Sequence, residues 1–183
     1  MARSLDNLIW IDLEATGLDP DARVILEIAC LVTDKALNEL GDGVDLVIHQ
    51  EGRAIGQLDP WCRKQHGVSG LLEASRTSTT SLGEAEAQTL AYVRRYCLVG
   101  RSPLCGNSVC FDRRFLIRHM PKLEASFHYR NVDVSSIKEL ARRWRPDVVE
   151  KVAKASRHRA LDDLRESIAE LRVYRDAFFR EAT

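Results

Sequence analysis

The sequence predicts an α/β fold: a mixed five-stranded sheet with helices on both faces. Leu8 to Leu13 apart from Asp12, and Val24 to Thr33 apart from Glu27, are apolar runs too continuous for strands with one wet face, so both sides should be covered. Short turns join the first three strand candidates, which marks a local antiparallel meander. Beyond residue 80 the texture changes to helical periodicity, interrupted by two short apolar strand candidates.

The first strand reads Leu8–Glu14 and ends at Thr16-Gly17 and Asp19-Pro20. The second, Val24–Thr33, is apolar apart from Glu27 and its ends, and the third is Val44–His49. Residues 74–83, rich in Ser and Thr, read as a loop inside one domain. A helix over Leu82–Leu98 follows, apolar or small at 82, 85, 90, 93 and 97, with Ser81 as its cap. Pro103–Gly106 is a short buried strand. Asn107 or Ser108 then starts a helix carrying Phe111, Phe115, Leu116, His119 and Met120 until Pro121 stops it. Val132–Val134 is the fifth strand, and Ser135 or Ser136 caps a helix through Trp144. In the last helix, from about residue 159 to 179, Leu161, Leu164, Ile168, Leu171 and Phe178 follow the 3.6-residue period.

A chain of 183 residues buries roughly 70% of its extended surface on folding, enough for one core over residues 1–183. Acidic and basic groups balance at 27 each, which excludes a strongly basic nucleic-acid coat but leaves room for a local site. Residues 101–159 carry 14 basic and 6 acidic groups, against 9 and 15 in residues 1–100. Five cysteines without a CxxC pair argue against both a disulfide framework and cysteine-bound zinc. With no signal-like or membrane-length apolar segment, a reduced, cytoplasmic setting is expected.

Asp12 and Glu14 interrupt a strand that otherwise belongs in a core. Their spacing of two puts both carboxylates on one face, with Cβ atoms about 6–7 Å apart. Either a divalent cation neutralises them there, or the sheet ends at Leu13 and Glu14 is solvated in a turn. Hard oxygen donors favour Mg²⁺ or Mn²⁺ in the first case. Asp112 and Asp163 fall in first or second turns of helices, where carboxylates also serve as ordinary capping charges. His158 lies just before the last helix. Four carboxylates and a histidine at strand ends and helix starts match two-metal phosphodiester hydrolysis, in which the ions sit about 3.5–4 Å apart and the imidazole takes a proton from water.

These residues stand within a longer ordered set. Trp10-Ile11-Asp12-Leu13-Glu14 precedes Thr16-Gly17-Leu18-Asp19, and Cys105-Gly106-Asn107-Ser108 precedes Asp112-Arg113-Arg114-Phe115-Leu116. Phe127-His128-Tyr129-Arg130, Asp133-Val134-Ser135, Lys138 through Trp144 and His158-Arg159-Ala160-Leu161-Asp162-Asp163 complete it. Over almost its whole length the chain resembles the DEDD 3′-to-5′ exonucleases with a catalytic histidine, which share a ribonuclease-H-like fold. The likeness is greatest to their small exoribonuclease branch that finishes RNA decay.

The resemblance implies that Asp12, Glu14, Asp112 and Asp163 hold two divalent ions, Mg²⁺ or Mn²⁺, and that His158 is the general base. The family's spacing from histidine to aspartate selects Asp163 over Asp162. Helix geometry independently lets only one of them face the site squarely, since neighbours point about 100° apart. Leu18 would wedge beside the bases and Trp61 stack near the substrate. His66, Ser108 and Ser135 would approach the 5′-phosphate, and Tyr129 and Arg130 would arrive from the second subunit of a homodimer. The implied substrate is short single-stranded RNA, dinucleotides especially, cleaved to 5′-mononucleotides, with no membrane partner.

Taken without the resemblance, several of these residues have plainer uses. Trp61 fits a core aromatic, His66 a turn, Tyr129 and Arg130 a solvated surface pair, and Ser108 and Ser135 helix caps. The chain departs from the family's Met-Thr-Gly run with Ala15, and Phe111 beside Asp112 is also unexpected. The alternatives to short-RNA hydrolysis are the same chemistry on longer substrates and a silent nucleic-acid-binding domain.

Overall fold

The computed structural model describes residues 3–56, 58–152 and 159–179. Among them, strands β1 (Leu8–Ala15), β2 (Ile25–Thr33), β3 (Val44–Val47), β4 (Leu104–Gly106) and β5 (Asn131–Asp133) form one sheet in the order β3-β2-β1-β4-β5. β3, β2 and β1 pair antiparallel as the meander predicts, whereas β1, β4 and β5 pair parallel, so the sheet is mixed and five-stranded. All nine residues of β2 are buried, as its apolar run requires.

The helices described are α1 (Gly52–Gly56), α2 (Pro60–Val68), α3 (Leu71–Thr77), α4 (Leu82–Tyr96), α5 (Cys110–His119), α6 (Pro121–Glu124), α7 (Val134–Trp144), α8 (Pro146–Val149) and α9 (Ala160–Phe178). None is long and apolar enough to cross a membrane. Period-2 alternation divides β1 between two cores. Ile9, Ile11, Leu13 and Ala15 pack with Ala85 and Val93 of α4 and Phe115 and Leu116 of α5. Trp10 packs on the other face with Leu164, Ile168 and Tyr174 of α9, and its indole N–H donates to Thr33 Oγ1 at 3.0 Å. Asp12 and Glu14 are in phase with Trp10 and therefore share the α9 face.

Several boundaries differ from the sequence reading. The expected loop over 74–83 begins only after Thr77, because hydroxyls tie the end of α3 to the sheet edge. Ser75 Oγ donates to the Ile48 carbonyl at 2.7 Å and Ser78 Oγ to the Val47 carbonyl at 2.6 Å. Ser81 does cap α4, in a reciprocal box with Glu84. α5 starts at Cys110 rather than 107 or 108, since Ser108 takes a left-handed φ of 56° that breaks helical continuity. Pro121 ends α5 and also opens α6, where its missing N–H costs nothing. The cap of α7 is Asp133, whose carboxylate accepts from Ser135 N–H, so that helix starts at Val134.

Candidate active site

The carboxyl end of β1 holds the site. One ligand atom each from Asp12, Glu14 and Asp163 lies within 4.8 Å of the others. α9 brings Asp163 there in its first turn, with its N–H bonded to the Arg159 carbonyl at 3.0 Å. Asp162 is outside this group and its charge instead acts on Asp45 and Arg159.

Asp112 is not part of this close-set group, though the charges of Asp12 and Glu14 reach it. It is buried in the first turn of α5, and its Oδ1 accepts the Leu13 N–H at 2.9 Å, between the two β1 carboxylates. β4 pairs with β1 only as far as Trp10, so that amide is left for a side-chain acceptor. Gly106, at the end of β4, permits the close approach: a Cβ there would lie 2.9 Å from the Ile11 carbonyl oxygen.

Burial, first, and then the charge of Asp12 push the Asp112 carboxyl well above its usual range. Glu14 is pushed up to about 9 by burial and then by the charges of Asp12, Asp163 and Glu27, with Arg159 opposing. Carboxyls this crowded retain protons unless a cation replaces them. The all-oxygen donor set fits a hard divalent ion.

Beside Glu14 opens a cleft of about 750 Å³ lined by Leu18, Trp61, His66 and Phe111, among others. Trp61 is 59% exposed and Leu18 is 73% exposed, so neither is a core side chain. Asp59 caps α2 by accepting the Cys62 N–H at 2.9 Å, which sets Trp61 at the helix start on the cleft wall. Phe111 packs on Phe115 with ring centroids 4.8 Å apart. Ala15 faces the opposite core across a register shift at Glu14/Ala15, as expected of a residue one step past Glu14. His66 is buried on α2. Its Nε2 lies 2.9 Å from the Ala15 carbonyl and so carries the proton, while Nδ1 is 3.7 Å from Glu14 Oε2.

Ser108, Ser135, Tyr129 and Arg130 do not line this cleft. The Ser108 and Ser135 hydroxyls are 3.1 Å apart, and both backbone amides donate to Asp133 Oδ1, at 3.0 and 2.9 Å. Ser135 Oγ also donates to Asn107 Oδ1 at 2.9 Å. Tyr129 and Arg130 are exposed just before β5, with the guanidinium 5.3 Å from the tyrosine ring centre. His158 lies outside the described residues.

The sequence reading missed the role of Glu27. This fully buried carboxylate pairs with Glu14 across the β1–β2 ladder. It accepts from Arg159 Nε at 2.8 Å and from Ala160 N–H at 3.2 Å, which anchors the start of α9. An acidic residue inside an apolar run was the available signal, though nothing local named its partner.

Residues 9–171 match the RNase T family, described as exonuclease. The chain is 57% identical over 175 residues to an oligoribonuclease of Marinobacter nauticus, covering 96% of this chain and 97% of that protein. It is 58% identical over 174 residues to an oligoribonuclease of Pseudomonas aeruginosa, covering 95% and 97%. The chain belongs to the oligoribonuclease family of exonucleases. Its fold also resembles an E. coli exonuclease I complex with single-stranded DNA, with a TM-score of 0.75 at 15% identity over 98% of this chain and 42% of that one. Exonuclease I of Methylocaldum szegediense aligns with a TM-score of 0.70 at 20% identity, over 94% of this chain and 41% of its own. This oligoribonuclease-family chain thus spans about two fifths of those larger exonucleases, and the likeness to them is one of fold.

Proposed function

We propose that the protein, as a single exonuclease domain, is a metal-dependent 3′-to-5′ exoribonuclease that hydrolyses very short RNA, dinucleotides above all, to 5′-mononucleotides. The observation that carries this reading is the Asp12–Glu14–Asp163 group, within 4.8 Å, beside a cleft with exposed Trp61 and Leu18. Asp12, Glu14, Asp112 and Asp163 would hold two ions, Mg²⁺ or Mn²⁺, which supply positive charge at the scissile phosphate and its leaving oxygen.

The chain's own residues do the rest. His158 takes the proton from the attacking water. Trp61 offers a π-face that stacks any base, and Leu18 closes over its edge. The paired hydroxyls of Ser108 and Ser135 bind the 5′-phosphate, joined by Arg130 and Tyr129 of a partner subunit. Tyr129 and Arg130 are both exposed and absent from the lining of their own chain's cleft, as action in trans requires. His66 stays in the substrate set on the resemblance, with its place in the cleft wall as support. The five free thiols, four of them buried, suit the cytoplasmic setting proposed for it.

The test is incubation of a 5′-phosphorylated RNA dinucleotide with Mg²⁺ or Mn²⁺, with products resolved by chromatography. Conversion to mononucleotides by the native chain, with no conversion by Asp12→Ala, is expected. An intact dinucleotide, or cleavage of long RNA at an equal rate, overturns the short-RNA reading.

A further inference from the structure

Arg113 follows Asp112 on α5, and its guanidinium is committed to the segment before β5. Nε and Nη2 donate to Glu124 Oε1 at 3.0 and 2.9 Å. Nη2 also donates to the His128 carbonyl at 3.1 Å. Nη1 donates to the Tyr129 carbonyl at 3.1 Å and to Asn131 Oδ1 at 2.7 Å. The side chain is only 15% exposed.

Three of these bonds end on residues 128–131, and two of those acceptors are consecutive backbone carbonyls. One planar donor fork therefore fixes the path of the chain, while Glu124 fixes the fork. What that path presents is outward-facing. The Arg130 N–H turns back to His128 Nδ1 at 3.1 Å, the His128 and Tyr129 rings are 4.3 Å apart, and Arg130 lies over the Tyr129 ring. Tyr129 is 73% exposed, so its orientation depends on the backbone beneath it.

We propose that Arg113 is a positioning residue for the partner subunit's substrate site, because it holds the segment that delivers Tyr129 and Arg130 across the dimer. The inference rests on the reading that those two side chains act in trans. The rival role is in cis, through the adjacent Asp112, on the carboxylate cluster of the same chain. Lysine keeps the charge but has one nitrogen in place of three, so it cannot span Glu124, two carbonyls and Asn131 together.

Arg113→Lys is expected to raise KM for a 5′-phosphorylated dinucleotide by about tenfold or more, the scale of one charge-assisted contact, with kcat nearly unchanged. In an Arg130→Ala background its further effect on KM should be smaller than in the native chain, since one of the two contacts it positions is already gone. Asn131→Ala, which removes one anchor of the fork, should show a smaller KM shift in the same direction; it serves if Arg113→Lys melts.

The deciding measurement is repair in trans. Asp12→Ala chains are mixed separately with Arg113→Lys chains and with Arg130→Ala chains, and subunit exchange is followed by mass spectrometry. A hybrid dimer keeps one intact carboxylate site, completed by the Asp12→Ala partner's undamaged segment. Recovery of the native KM in both mixtures is expected. Recovery with Arg130→Ala but not with Arg113→Lys overturns the proposal and places Arg113 in its own chain's site. Recovery in neither, with exchange verified, shows that the shared-site reading itself is wrong, and the proposal falls with it.

Discussion

Arg159 Nε donates to Glu27 Oε1 at 2.8 Å across 132 positions of sequence, and this bond fastens the residue after His158 to the strand beside Glu14. The Glu27 side chain is wholly buried, whereas that of Arg159 is 37% exposed. Arg159→Ala strands a buried carboxylate that keeps the Ala160 N–H but loses its cationic partner. The expected cost is about 3 kcal/mol, the low end for breaking such a pair because water reaches the guanidinium. Urea unfolding checks it, and a change below about 0.5 kcal/mol would place the pair among ordinary surface contacts.

The crowding of carboxyls gives stability a pH dependence that a divalent cation should remove. Folded Glu14 is pushed up to about 9 from an ordinary value of 4.5, so the folded state keeps a proton that the unfolded chain releases. That contribution is full below about pH 4.5 and is lost as pH rises through 9. In chelator the melting temperature should therefore fall over this range, and saturating Mg²⁺ or Mn²⁺ should flatten the curve. Parallel curves with and without metal would refute a cation site at Glu14.

His158→Ala should lose about 10²–10⁴-fold in turnover, the usual worth of a positioned base, and should retain its affinity for divalent ions. Calorimetric titration separates this from Asp12→Ala, which should lose both turnover and metal binding while remaining folded. If the two variants lose metal equally, the histidine is a ligand.

Substrate length should be measured between the carboxylates and the paired serine hydroxyls. The native protein is expected to cleave 5′-phosphorylated dinucleotides faster than unphosphorylated ones. Arg130→Ala should narrow that preference by about tenfold, one charge-assisted contact reduced by solvent exposure. An unchanged preference in the variant would remove Arg130 from phosphate recognition.

Much of this arrangement was legible because local patterns carry it. The apolar run over β2 announced a strand covered on both faces, and the spacing of Asp12 and Glu14 placed two carboxylates on one side of β1. What local pattern could not carry was contact between distant segments. Glu27 was visible as an oddity in its strand, but Arg159 could not be named as its partner. Asp112 reads as a helix-start carboxylate, and nothing in its neighbourhood points to the Leu13 amide. The Ser/Thr-rich end of α3 was misleading for a related reason. Its hydroxyls bond to carbonyls of the Val47–Ile48 segment, a pairing invisible without the fold.

The close-set carboxylates come from distant parts of the chain, with Asp12 and Glu14 on β1 and Asp163 on α9. During synthesis the stretch between β1 and α9 takes roughly ten seconds at typical translation speeds, and over that time the first pair exists without α9 to close the cluster. Interrupted translation products and proteolytic fragments that lack α9 would then lack Asp163, the one member of the close-set group that β1 does not supply. The group closes only once the residues of α9 have been added and have packed on β1 and β2.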